Sequence, residues 1–262
     1  MKFTRPRCIV SCVETAFFWG LAAASSLVVG GLLASWVTLG KRTLGIIMGF
    51  GAGVLLSATA YELVFEAVHI AKLSGFPALG FFAGAFTFFF ADMLIGRMGG
   101  RQGETADANG ADQSSLVVPL VLGIILDGVP ESVVIGLGVL QSGAVSLAML
   151  VAVFISNLPE AAASTAGMRA GGWSRTKVFL LWSAIAVVCA FASAAGYALL
   201  GGVSPFVLAV VQAFAGGAIL MMLANTMIPE AYERAGKLAG VATVLGFALS
   251  VWVVVLEHSG AG

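Results

Sequence analysis

Residues 122–138 read LGIILDGVPESVVIGLG, and residues 153–164 read VFISNLPEAAAS. Each stretch is an apolar run broken by a Pro-Glu pair, Pro130-Glu131 and Pro159-Glu160. With its apolar flanks each run reaches the roughly 20 residues that cross a hydrocarbon core. The acids therefore fall near the middle of membrane-spanning helices, where an ionised carboxylate is costly and marks a functional site by default. Asp127 and Glu131 are four apart and share one helix face, as do Ser156 and Glu160. Proline has no N–H to donate, so Pro130 releases the carbonyl of Leu126 and Pro159 that of Ile155, and each predicts a kink.

The rest of the chain agrees with this setting. Of its 262 residues 60% are hydrophobic and only 10% charged, against about a quarter charged in soluble domains. Lys+Arg and Asp+Glu both number 13, without a basic stripe, which excludes nucleic-acid binding as a main role. Apolar runs near 16–39, 43–66, 76–96, 116–139, 143–167, 176–200, 205–230 and 238–257 predict eight spans. The expected fold is an all-α polytopic membrane protein, one transmembrane domain over 1–262, with the lipid bilayer as its partner. Polar Ser11, Cys12 and Glu14 interrupt the segment after the basic start, against a cleavable leader. Residues 97–115 (RMGGRQGETADANGADQSS) predict a flexible cytoplasmic loop between spans three and four. With both termini outside, inside loops hold Lys41, Arg42, Arg97, Arg101, Arg169, Arg175, Lys177, Arg234 and Lys237, against Lys2, Arg5, Arg7 and Lys72 outside. That bias favours N-out, C-out, in a cell (inner) membrane.

Residues 53–67 and 217–231 align without gaps at a constant offset of 164, pairing Gly53 with Gly217 and Glu66 with Glu230. Spans two and seven run in opposite directions, so the repeat is inverted, relating spans 1–3 to spans 6–8 around spans 4 and 5, a transporter device.

Six acids remain inside spans: Glu62, Glu66, Asp92, Asp127, Glu131 and Glu160. The central three have no interior Lys or Arg to balance them, so a divalent cation, protons or both must. Asp127, Glu131, Asn157, Glu160 and Ser156 are the candidate ligands, beside the freed carbonyls. Glu62, Glu66 and Glu230 lie near span ends, either as interfacial acids or as gate or secondary cation sites. Gln212 reads as an interhelical hydrogen-bonder. Cys8, Cys12 and Cys189 read as packing cysteines. Small-residue faces at 22–26 and 192–196 suit packing within one chain or between two in a homodimer.

These residues resemble the ZIP (Zrt- and Irt-like) family of divalent metal transporters, over the whole chain. The family's paired motif, His-Asn-x-Pro-Glu-Gly in span four and His/Gln-Asn/Asp-x-Pro-Glu-Gly in span five, is read here as Asp127-Gly128-Val129-Pro130-Glu131-Ser132 and Ser156-Asn157-Leu158-Pro159-Glu160-Ala161. The departures are Asp127 for histidine, Gly128 for asparagine and Ser156 for histidine or glutamine. A glutamate common in span six aligns with Ser193. The resemblance implies one metal site from Asp127, Glu131, Asn157 and Glu160, with Ser156 as a further candidate. The second site, needing Gly128 and Ser193, loses its ligands, so a binuclear centre becomes mononuclear. The implied activity is import of a divalent transition-metal ion by alternating access, spans one, four, five and six moving against the others. It implies no enzyme activity and no catalytic cofactor. Zinc leads by resemblance, while oxygen-only ligands shift weight toward iron(II) or manganese. The rival reading is a metal-binding membrane sensor that no longer transports.

Overall fold

The computed structural model describes residues 6–37, 39–72, 74–98 and 113–259. Among them are eight helices long and apolar enough to cross a membrane. We number them α1 (Pro6–Trp36), α2 (Lys41–Ile70), α3 (Phe76–Arg97), α4 (Gln113–Ser142), α5 (Leu147–Ala170), α6 (Arg175–Leu200), α7 (Pro205–Ala235) and α8 (Lys237–Ser259). Of the predicted loop 97–115, residues 99–112 lie outside the described residues; α3 runs to Arg97, and α4 begins at Gln113, three residues before the expected start.

Short polar punctuation starts the helices. Ser146, Ser174 and Ser204 accept hydrogen bonds from the backbone N–H of Met149, Lys177 and Val207, capping α5, α6 and α7. Pro77 and Pro205 occupy first turns, where a missing N–H costs nothing. Large apolar side chains cover the outside: Phe82, Phe86 and Phe90 form an exposed row along α3, and Phe191, Leu199, Val244 and Trp252 are exposed elsewhere. Such a surface belongs in lipid.

Two packing groups share the interior. α1 packs on α6, α5 and α4, around Ala24, Leu27, Ile124, Ala161, Trp182 and Ile185. α2 packs on α8 and α7, and α3 on α7. Much of the small-residue stretches at 22–26 and 192–196 packs inside the chain: Ala23, Ala24 and Ser26 are buried on α1, and a Cβ on Gly196 would meet the Val133 carbonyl at 2.9 Å, while Ala22 and Ala195 are exposed.

Two helices depart from α geometry. α2 takes a π-helical stretch at Thr59–Phe65 and α7 one at Leu223–Met227. Thr59 and Leu223 are themselves 164 positions apart. Close helix contacts recur at the same spacing. A Cβ on Gly53 would lie 1.9 Å from the Thr243 carbonyl on α8, and one on Gly217 would lie 1.9 Å from the Phe81 carbonyl on α3. Gly246 of α8 faces the Phe50 carbonyl in the way Gly84 of α3 faces that of Phe214. α4 and α5 stay helical on both sides of Pro130 and Pro159, and among the described residues the π-helical stretches fall in α2 and α7.

Candidate metal path

The helical register of α4 stacks Asp127 and Glu131 one turn apart, and that of α5 places Asn157 and Glu160 opposite them. Glu131 is 1% exposed and Asn157 4%, whereas Asp127 and Glu160 are half-buried. The side chains associate in two pairs. Asn157 lies beside Glu131, and Asp127 beside Glu160. Both Glu131 carboxylate oxygens are buried with no donor in bonding geometry. Glu160 is close enough to Glu131 and to Glu230 to repel both. Among the described residues no three His, Cys, Asp or Glu side chains are gathered tightly enough to enclose a metal ion, so the acids stand as pairs along a path.

Ser156 stands apart in role. It is fully buried, and its hydroxyl donates to the Val153 carbonyl of its own helix at 3.0 Å. Ser193 likewise turns away, donating to the Ala16 carbonyl of α1 at 2.7 Å. The α6 residue that meets Gly128 is Cys189, whose Sγ lies 3.0 Å from where a Gly128 Cβ would be. Aligning motifs by residue type cannot find this, because the cysteine sits one turn earlier in an apolar run.

Two cavities flank Glu131. One is lined by Met48, Asp127, Glu160, Thr226 and Glu230 among others. It lies toward the helix ends at Lys41, Ala170 and Ala235. The other is lined by Glu62, Val134, Gln141, Ser146 and Gln212 among others. It lies toward the ends at Ile70, Ser142 and Pro205. Glu131 lines neither and sits one turn from each along α4.

The cavity ends are differently dressed. Glu230 is paired with Arg234, whose Nε donates to its Oε1 at 3.0 Å. At the other end Gln141 Nε2 donates to Gln212 Oε1 at 2.9 Å, and Gln212 Nε2 donates to the Glu62 carbonyl at 2.8 Å. Gln212 is thus the interhelical bonder its position predicts, and Glu62 lies on a cavity wall.

No family model matches the chain. It is 27% identical over 237 residues, 88% of its length, to a candidate zinc transporter of Arabidopsis thaliana. It is 36% identical over 93 residues, 32% of its length, to zinc transporter ZIP11 of Homo sapiens. The aligned part spans 37% of the plant protein and 26% of the human one. Both relatives are named as transporters rather than enzymes.

Proposed function

We propose that this chain, a distant homologue of ZIP zinc transporters, moves divalent transition-metal ions across a membrane by alternating access. The observation that carries the proposal is the position of Glu131: a buried carboxylate without a hydrogen-bond donor, between two cavities that approach it from opposite ends of the bundle. The ion sheds water to Glu131, Glu160 and Asp127, with Asn157 as a neutral oxygen donor. Drawing the two acid pairs together around a cation offsets the repulsion among the acids. Ser156, committed to its own backbone, is left a minor role.

An inverted relation between α1–α3 and α6–α8 is part of this reading. It is supported by the matched π-helical stretches and the reciprocal glycine contacts, which sequence alignment of residues 53–67 alone supports only weakly. α1, α4, α5 and α6 then move as one unit against α2, α3, α7 and α8. With both termini outside, the cavity holding Asp127, Glu160 and Glu230 faces inward, and the Gln141–Gln212 bond closes the outer side. Flux in this direction is import. Zinc is the leading substrate because both relatives are named for it, and carboxylates also accept iron(II) and manganese.

The test is uptake by the reconstituted protein of zinc, iron(II), manganese and cadmium offered together, read by mass spectrometry beside Glu131→Ala. Saturable uptake lost in the variant is expected. Stoichiometric binding without uptake would point to the sensor reading, and undiminished uptake by Glu131→Ala would remove Glu131 from the path.

A further inference from the structure

We infer that the cavity beside Asp127 and Glu160 is a second cation subsite, at which the thioether sulfurs of Met48, Met222 and Met227 take a soft monovalent ion, copper(I). The inference shares this cavity with the transport reading but rests on binding rather than flux, so the two can fail separately.

Met48 on α2 and Met222 and Met227 on α7 line the cavity to which α4 brings Asp127 and α5 brings Glu160. They are 1%, 3% and 4% exposed. A buried methionine is ordinarily apolar filling. Here the backbone departs from α geometry to present two of them. Met222 and Met227 are five positions apart, a spacing that an α-helix would set about 140° apart around its axis. In the π-helical stretch Leu223–Met227 the Ile228 N–H donates to the Leu223 carbonyl five residues back. That extra residue in the turn brings both methionines onto one cavity wall. Met227 reaches toward α5 at its tip. Its Cε lies 3.3 Å from the place of a Cβ on Gly51, and that place is 3.1 Å from the Cα of Ser156, one turn before Glu160.

Packing alone does not call for sulfur at these positions. The residues 164 positions away, Gln212 for Met48 and Leu63 for Met227, line the opposite cavity, where an amide and a branched hydrocarbon fill the matching places.

Thioethers are soft, neutral donors that select copper(I). They bring no charge of their own, and Asp127, Glu160 and Glu230 on the same cavity supply it, which offsets the cost of a cation inside the membrane. Methionine is unbranched and adaptable, so its sulfurs can close on an ion that the acids of the described residues do not enclose by themselves. Copper binds without a change of oxidation state.

The experiment titrates copper(I), kept reduced by ascorbate, into the full chain against a chromophoric copper(I) chelator. X-ray absorption at the copper edge reads the ligands. Cys8→Ser, Cys12→Ser and Cys189→Ser are introduced first, so that any sulfur shell belongs to methionine. In that background we expect a sulfur shell and measurable competition with the chelator. Met48→Leu, Met222→Leu and Met227→Leu together should remove the shell and weaken binding by more than the roughly tenfold that loss of an outer partner costs a metal site. Leucine conserves the volume of methionine, and each single substitution should weaken binding in the same direction, which keeps the comparison if the triple variant does not fold. A shell of oxygen alone, a sulfur shell that survives the three leucines, or undiminished affinity overturns the inference. So does copper(I) binding that is lost with the cysteines alone, since thiols then held the ion. Normal zinc uptake by Glu131→Ala would remove the transport site and leave the copper result to be read on its own.

Discussion

Gln141 on α4 donates from Nε2 to Gln212 Oε1 on α7 at 2.9 Å, and Gln212 passes its own N–H to the carbonyl of Glu62 on α2. One amide thus ties a central helix to both helices that carry π-helical stretches. Gln212 is 1% exposed, so no solvent competes for its bonds. Hydrogen bonds between membrane helices average about 0.6 kcal/mol and reach about 1.7, enough to bias a conformational equilibrium without locking it.

Breaking this tie should open the cavity beside it. Gln141→Ala is expected to speed maleimide labelling of a reporter Met149→Cys, measured above the background of native thiols. Met149 lines that cavity and is 3% exposed. An unchanged labelling rate would mean that the glutamine pair packs the bundle without closing it. Gln212→Leu should cost more stability than Gln141→Ala, because it removes both bonds, to Gln141 and to the Glu62 carbonyl.

Much of this architecture was legible in the residues. The eight spans follow from hydropathy alone, since each interior backbone group must be satisfied within its own helix. The Pro-Glu pairs at 130–131 and 159–160 point to the two helices on which the proposed path is placed. Other features depend on neighbours. Thr59–Phe65 (TAYELVF) contains no proline or glycine, so nothing local announces its π-helical turn; its Glu62 carbonyl is answered by a side chain 150 positions away. Ser156 and Ser193 matched family positions by alignment, yet each hydroxyl goes to a nearby carbonyl. Cys189 meets Gly128 only through the packing of α6 on α4.

Glu131 should carry a conflict between function and stability. Its buried carboxylate, without a donor, burdens the empty protein. Glu131→Gln is expected to raise the thermal midpoint of the metal-free protein while abolishing uptake. The unmodified protein should in turn gain about 2.7 kcal/mol from metal at 100 times its Kd, and Glu131→Gln should gain far less. Equal stabilisation of both by zinc in a thermal-shift assay would place the ion elsewhere.

The glycine contacts make a paired prediction. Gly53→Ala and Gly217→Ala would each drive a methyl to within 1.9 Å of a facing carbonyl. Overpacking of this kind costs about 1–3 kcal/mol, and matched environments should give matched costs. Gly240, with nothing near its Cβ position, is the control: Gly240→Ala should stabilise α8 by up to about 1 kcal/mol. Thermal unfolding in one detergent checks all three. A large disparity between the first two would count against treating α2 and α7 as equivalent.

Protons should oppose the metal. Carboxylates bind a cation only when deprotonated, so acidification removes ligands and weakens binding. Metal occupancy at fixed free zinc should therefore fall as pH drops from about 8 to 5, measured by equilibrium dialysis. Uptake should be driven by acid on the releasing side and inhibited by acid on the entry side. Occupancy that stays level across that range would argue that the acids of the path do not hold the ion.

Asp127 offers the sharpest change of substrate. It is half-buried and lines the same cavity as Glu160. Asp127→His removes one like charge from that pair and supplies an imidazole nitrogen, a donor suited to zinc, where manganese prefers carboxylate and water. In uptake assays offering both metals, the zinc-to-manganese ratio should rise, chiefly through loss of manganese. An unaltered ratio with normal total uptake would show that Asp127 lines the route without touching the ion, leaving Glu131 and Glu160 as its holders.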